Sequence, residues 1–312
     1  MASTELLDVR PIEAGHAEDV WPLSIEAGWN QNVADWRFML GAGRGFGLTG
    51  PDGKWQASSL VLPLGQRLAW ISMVLVTRDR RRGGVGTGLL KRCIADVRDM
   101  GAVAGLDATE LGRPIYLPLG FHDLYSIRRW HLDAARGTPV APPQGIEIRP
   151  ATIADLSKLA TYDRPLSGME RPTILAHLLL RQPGLAWIAQ TPSGAITGYA
   201  LGREGRTATS IGPVIADSEP IALALISKVA ASAVGPFIID VPEAHRAVRA
   251  WIEEQGGVTP RAYMRMTLGT AKGLDDPSHV FALAGPDLGY PHGRPVRREG
   301  PCGGRNGGRA SE

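Results

Sequence analysis

A chain of 312 residues exceeds the usual size of one domain, so two domains, each with its own core, are expected. Hydrophobic residues make up 44% and charged residues 21%, the balance of a soluble globular protein rather than a disordered or membrane chain. The formal net charge of +3 is small for this length, and the arginines gather within 78–82 and in the C-terminal tail, so a nucleic-acid-binding stripe is not expected.

Cys93 and Cys302 stand far apart with no His or Cys at ligand spacing, which argues against a disulfide scaffold or a zinc site. No window approaches the roughly 18 apolar residues of a membrane span, and the N-terminus has no apolar stretch behind a basic start. The expectation is a soluble, unsecreted, cytoplasmic protein without a metal or a membrane partner.

In chain order, Leu7-Asp8-Val9-Arg10-Pro11 reads as a short strand leading into an amphipathic helical stretch. Alternating segments at 45–48, 56–62 and 68–76 read as consecutive antiparallel strands separated by Gly or Pro turns. A helix follows, because Val85, Leu89, Leu90, Cys93, Ile94, Val97 and Met100 recur at steps of three and four while Lys91, Arg92, Asp96 and Arg98 fall on the other face. Then come a strand at 103–106, a second helix from Pro114 to Gly120, and one or two closing strands over 121–132. The order predicts a mixed α/β sheet.

The stretch DAARGTPVAPPQG has no apolar period and reads as a linker. Beyond it Ile146-Glu147-Ile148-Arg149-Pro150 repeats the opening at an offset of 139 residues between Arg10 and Arg149. The same offset lays 71–76 over 210–215, and short strands end in Leu106-Asp107 and Ile239-Asp240, so the chain looks like a degenerate duplication. Helices are expected near 152–161, 171–180, 221–233 and 244–254. The division is therefore 1–134, a linker 135–145, a second domain 146–270 and an extension 271–312, in which Val280-Phe281-Ala282-Leu283-Ala284 is able to dock on a domain and disorder is expected from Pro291.

One loop carries the chemistry. Arg81-Arg82-Gly83-Gly84-Val85-Gly86-Thr87-Gly88 joins a strand to an amphipathic helix, an arrangement in which backbone N–H groups close around phosphates at a helix N-terminus. Glycines leave room for that approach, and Arg80, Arg81 and Arg82 supply complementary charge. It is neither a Walker loop, lacking GKS or GKT, nor the dinucleotide fingerprint with its acidic residue about 20 positions later. A plain Gly-rich turn beside a solvated basic run is the other reading.

Arg81-x-x-Gly84-x-Gly86 resembles the pyrophosphate motif of the GNAT superfamily, and Tyr116-Leu117-Pro118-Leu119-Gly120-Phe121 looks like its later Tyr-x-x-x-Gly-Phe element. Resemblance to a tandem subgroup comes through Ala27-Gly28-Trp29-Asn30-Gln31 with Asp35-Trp36, Asp107-Ala108-Thr109 with Gly112-Arg113-Pro114-Ile115-Tyr116, and Ala284-Gly285-Pro286-Asp287-Leu288-Gly289. It covers nearly all of 5–289. The resemblance implies two tandem GNAT-like domains, each a mostly antiparallel twisted sheet flanked by helices. It also implies acetyl-CoA lying in a gap where two strands splay, pantetheine pairing with backbone around Val74 and Val76, and direct acetyl transfer to a primary amine of a small molecule. A non-catalytic acyl-CoA sensor and a protein-lysine acetyltransferase stay open beside it, as does a homodimer.

An alkylammonium, with a pKa near 10.4, must lose its proton before attack, the oxyanion needs donors, and the departing thiolate benefits from an acid. Tyr116 is placed by the resemblance as that acid; a core aromatic is the alternative. Asp107 is the candidate base, although Asp240 at the equivalent strand end points equally to a structural or substrate-binding carboxylate; Glu26, Glu110 and His122 are further candidates. Trp29, Asn30 and Gln31 are candidate acceptor-binding residues, or else a helix cap with a buried Trp. In the second copy Ile215-Ala216-Asp217-Ser218-Glu219-Pro220 replaces the glycine loop, so no CoA is expected there and one CoA per chain is.

Overall fold

The computed structural model of the chain describes residues 8–270 and 276–289; the tail from Pro291, where disorder is expected, and Cys302 lie outside the described residues. The first copy opens with β1 (Arg10–Ile12), α1 (Ala17–Glu26) and α2 (Val33–Ala42), followed by β2 (Arg44–Thr49), β3 (Trp55–Pro63) and β4 (Leu68–Val76). It continues with α3 (Val85–Asp99), β5 (Val103–Thr109), the single turn α4 (Arg113–Tyr116) and β6 (Phe121–Leu132). The expected helix over 114–120 is thus shorter: Leu117–Leu119 tightens into a 3-10 turn, which Gly120 ends with φ +93°. The closing strand is single and twelve residues long.

The second copy repeats the plan with β7 (Glu147–Pro150), α5 (Leu156–Ser167), α6 (Pro172–Arg181), β8 (Trp187–Gln190), β9 (Ile196–Glu204) and β10 (Thr209–Ala216). There follow α7 (Glu219–Ala231), β11 (Phe237–Pro242), α8 (Arg246–Glu254), β12 (Val258–Leu268) and β13 (Val280–Ala282). Among the described residues no helix is long and apolar enough to cross a membrane.

All strands join one sheet of order β1-β2-β3-β4-β5-β12-β6-β11-β10-β9-β8-β7, with β13 on β10. Neighbours are antiparallel except β4–β5 and β10–β11. The fold is the mixed α/β sheet read from the sequence, but the copies exchange their last strands: β12 pairs β5, and β6 pairs β11. Each copy keeps a cluster of its own, around Leu89, Leu90 and Cys93 in the first and around Leu225, Ile226 and Val229 in the second, each completed by the exchanged strand of the other. A further core joins the copies, running from Trp36, Met39 and Trp70 to Leu159, Leu178 and Leu201.

The exchange is fixed by a pair of reciprocal ion pairs. Arg265 on β12 donates from Nε and Nη2 to both oxygens of Asp107 on β5 at 2.8 and 2.7 Å, with both side chains fully buried. Arg129 on β6 grips Asp240 on β11 in the same bidentate way, at 2.8 and 2.7 Å. Each copy therefore supplies the guanidinium that neutralises the other copy's strand-end aspartate.

Helix packing adds a second bond between copies. Asp35 on α2 accepts from Arg181 Nη1 at 2.5 Å and lies 3.4 Å from Arg203 Nη1. His177 on α6 stacks on Phe38, ring centroids 3.8 Å apart, with a buried Nε2 that has no partner among the described residues. Burial first, then the nearby Arg181 and Arg203, pushes its pKa down to about 4, with Asp35 opposing. The unfolded chain takes up that proton near pH 6.5 and the folded chain does not, so stability is full above about pH 6.5 and falls as the pH drops toward 4. Urea midpoints should fall across that window, and His177→Phe should make the curve flatter; an unchanged slope contradicts the assignment.

Candidate active site

β4 and β5 pair only at Leu68↔Val103, Ala69↔Ala104 and Trp70↔Gly105, then splay. Met73 has φ +52°, and the register against β3 passes from Leu60↔Ser72 to Ser58↔Leu75, so Met73 and Val74 together oppose Ser59 in a bulge. Ser58 Oγ donates to the Met73 carbonyl at 2.8 Å and fixes the bulge. The V-shaped gap expected between two strands is present.

Two adjoining cavities open from this splay. The outer, of about 530 Å³, is lined by Val74, Val76, Arg81 and Gly86 on one side and by the 109–116 turn on the other. The inner, of about 80 Å³, includes Gln31, Ser72, Asp107, Arg129, Tyr263 and Asp287 in its wall. Both are bounded by Trp29, Val74, Thr109 and Tyr116, which stand where one cavity meets the other.

Gly84 precedes α3 at φ +77°, a left-handed conformation that favours glycine, and a β-carbon there would have nothing within 4 Å. The helix has no side-chain cap, so its first amides lack an intrahelical partner. A fifteen-residue helix thus presents uncapped N–H groups and its positive dipole end beside the outer cavity. Arg82, Gly83, Gly84, Val85, Thr87 and Gly88 form the turn and first helical turn next to that cavity without lining it, the Val85 side chain being buried under the sheet. Arg81 folds back, Nε donating to the Val76 carbonyl at 3.0 Å, and Glu26 accepts from the Arg78 N–H at 2.7 Å, which ties the turn to α1.

The remaining sequence candidates separate. Tyr116 faces both cavities, burial raises its hydroxyl above the ordinary value of 10, and the hydroxyl has no hydrogen-bond partner among the described residues. Asp107 lies in the inner wall with both oxygens held by Arg265; burial pushes its carboxyl up, and the guanidinium opposes the rise. Glu110 edges the outer cavity, while His122 is exposed on β6.

Trp29 borders both cavities and Gln31 the inner one, but Asn30 borders neither. The Asn30 amide is spent on the β9–β10 turn: Nδ2 donates to the Ala208 carbonyl at 2.9 Å, and Oδ1 accepts from the Thr207 and Ala208 N–H groups at 2.9 and 3.1 Å. The cap reading of this motif belongs to Asn32, whose side chain and that of Asp35 cap α2 reciprocally at 3.1 and 2.9 Å, with Trp36 fully buried.

Of Arg129, Tyr263 and Asp287, the sequence offers only Tyr263 to a ligand, as one of the polar residues of the second copy; Arg129 and Asp287 are not singled out as site residues. Two of them come from the second copy and its extension: Tyr263 on the exchanged β12, and Asp287 on the segment after β13. Trp70 Nε1 donates to the Pro286 carbonyl at 2.8 Å and Arg203 Nη2 reaches Asp287 at 2.8 Å, which seats the segment as a wall of the inner cavity. The Ala284-to-Gly289 motif was the available signal.

Among the described residues the second copy has no such opening. β10 and β11 also pair at three positions and splay, but β13 fills the splay, pairing Ala282 with Val214 and Val280 with Ile215, and Leu283 N–H donates to the Asp240 carbonyl at 2.9 Å. Gly212, at φ +147°, permits the close approach, since a β-carbon there would lie 1.8 Å from the Leu283 carbonyl oxygen. At the start of α7, Glu219 occupies the first turn and accepts from the Ala247 and Val248 N–H groups at 2.8 and 3.0 Å.

Residues 159–282 match the family model described as an acetyltransferase (GNAT) domain, which falls on the copy that lacks the glycine loop. Across both copies the chain is 28% identical over 242 residues to the uncharacterized N-acetyltransferase YitH of Bacillus subtilis (strain 168), covering 77% of this chain and 84% of that one. In fold it is similar to a structure from Pyrococcus horikoshii described as a putative acetyltransferase, with a TM-score of 0.70 at 19% identity over 91% of this chain and 98% of that chain. It is similar also to a tandem GNAT protein of the clavulanic acid biosynthesis pathway, with a TM-score of 0.56 at 16% identity over 83% of this chain and 97% of that chain. Residues 159–282 thus match a GNAT acetyltransferase domain, and the fold across both copies is similar to that of a tandem GNAT protein.

Proposed function

We propose that the first copy moves an acetyl group from acetyl-CoA to a primary amine of a small molecule, by direct transfer without a covalent enzyme intermediate. The observation that carries this reading is the pair of cavities meeting at Tyr116 in the β4–β5 splay, one beside the uncapped α3 terminus and the other walled in part by Gln31, Ser72, Arg129 and Asp287. The uncapped turn fits a pyrophosphate, and the Val74–Val76 backbone offers an edge for a pantetheine amide. On this reading the backbone of 83–88 and the Arg82 charge hold the phosphates, while Arg81 fixes the loop. The plug of β13 in the other splay supports one CoA per chain.

Acetyl-CoA supplies a thioester whose carbonyl carbon the amine attacks. An ammonium of pKa near 10.4 has to shed its proton at the inner cavity. Asp107 is poorly suited to receive it, because Arg265 occupies both its oxygens. Asp287 has both oxygens on the single Arg203 Nη2, at 3.1 and 2.8 Å, which leaves lone pairs for an incoming ammonium, and we assign it that role in place of Asp107. Tyr116, protonated at neutral pH, donates to the departing thiolate.

Thiol release from acetyl-CoA with a panel of amines tests the reading, and silence across the panel with acetyl-CoA bound would sink it. Tyr116→Phe should lower kcat by about a hundredfold, the usual scale of general-acid catalysis, with acetyl-CoA affinity held within about twofold. Equal losses in both would make Tyr116 a binding residue only.

A further inference from the structure

The inner cavity specifies more than an amine. At about 80 Å³, against about 530 Å³ for the outer, it is the smaller of the two cavities and favours a compact acceptor. Gln31 and Ser72 are over nine-tenths buried in its wall, and Gln31 Oε1 and Ser72 Oγ have no hydrogen-bond partner among the described residues. Buried polar atoms without partners cost about 1–3 kcal/mol each, a debt that a polar ligand removes.

The charges around the cavity have opposite signs and pair off: Asp107 with Arg265, Asp240 with Arg129, and Asp287 with Arg203. A site of balanced charge disfavours a dication such as a polyamine as well as a dianion. Within that balance the donors and acceptors are separate groups. Arg129 spends Nε and Nη2 on Asp240 and leaves Nη1 without a hydrogen-bond partner among the described residues. Burial alone disfavours its charge, but Asp240 first, and then Tyr263 and Asp287, hold it cationic. Asp287 and Gln31 Oε1 supply only acceptors.

We infer that the acceptor is a compact zwitterion, a small amino acid whose ammonium is received by Asp287 and Gln31 and whose carboxylate is read by Arg129 and Ser72. This rests on the acetyl-transfer reading above and names its substrate class. The ammonium loses two protons, one passing to the CoA sulfur and one to solvent; an N–C bond forms, the C–S bond breaks, and an N-acetyl amino acid and CoA thiol leave. In a reaction sequence the product is an amide whose amine is masked and whose carboxylate stays free.

The test is thiol release from acetyl-CoA with the full chain, comparing small free amino acids with their decarboxylated amines and methyl esters, a linear polyamine and a lysine-containing peptide. A free amino acid should exceed its decarboxylated counterpart at least tenfold in kcat/KM, about the loss expected when one charge-assisted hydrogen bond is removed. Gln31→Met, of matching shape, should raise KM for the amino acid about tenfold with acetyl-CoA KM unchanged. If the plain amine, the polyamine or the peptide is used as well or better, the zwitterion is refuted while acetyl transfer stands. If no amine releases thiol, both fall.

Discussion

Gly86→Glu should weaken acetyl-CoA binding at least a hundredfold while the melting temperature is unchanged or rises. The two outcomes separate because position 86 is the second residue of α3. A glutamate in a helix first turn interacts favourably with the dipole by about 0.3–1 kcal/mol, so the fold gains slightly. A β-carbon on Gly86 would touch only Val76 Cγ2, at 3.5 Å, an ordinary contact. The carboxylate, however, enters the outer cavity, and two like charges about 4 Å apart at an effective dielectric of 20 repel by about 4 kcal/mol. Calorimetric titration and a thermal melt of the same sample check both halves. Gly84→Glu should lose binding too, but with a stability loss of about 1–2 kcal/mol from a non-glycine residue at φ +77°.

Arg265→Ala should cost about 3–5 kcal/mol of unfolding free energy, because it leaves Asp107 buried without its counter-charge. The guanidinium also lies 4.9 Å from the Trp70 ring and donates from Nη1 to the Tyr125 hydroxyl at 3.1 Å, so its loss reaches the β4 side of the site. Replacing Asp107 and Arg265 together by Leu and Met should recover most of the loss, since an apolar pair of similar volume fills the same space without a stranded charge. Urea unfolding of the three variants measures this. Residues 1–134 expressed alone should fail to give a cooperative melt, since β5 then lacks its β12 neighbour. A well-folded fragment would show that the strand exchange is dispensable.

These two expectations draw on features of very different legibility. β4 was read over 68–76 and found at Leu68–Val76, and α3 over the same apolar positions, because period 2 and period 3.6 are local properties of the chain. The glycine loop was legible for the same reason. The strand exchange was not. Alternation says which face of a strand is buried but not which strand lies beside it, and Arg265 sits 158 residues from Asp107.

The duplication did expose Asp107 and Asp240 as equivalents, yet their arginine partners lie on strands whose exchange has no local sequence signal. Asn30 shows the same limit, since an amide that caps a distant turn and one that greets a ligand look alike in sequence. The 280–284 segment was read as able to dock on a domain; its insertion into the second splay depends on Gly212, whose φ only the fold displays.

The most direct test of the central claim, that the open splay of the first copy alone receives acetyl-CoA, is the stoichiometry of calorimetric titration on the wild-type chain and on Gly86→Glu. One site per chain that disappears in Gly86→Glu is the result the account predicts. Two sites per chain, or a site that survives the substitution, would contradict it.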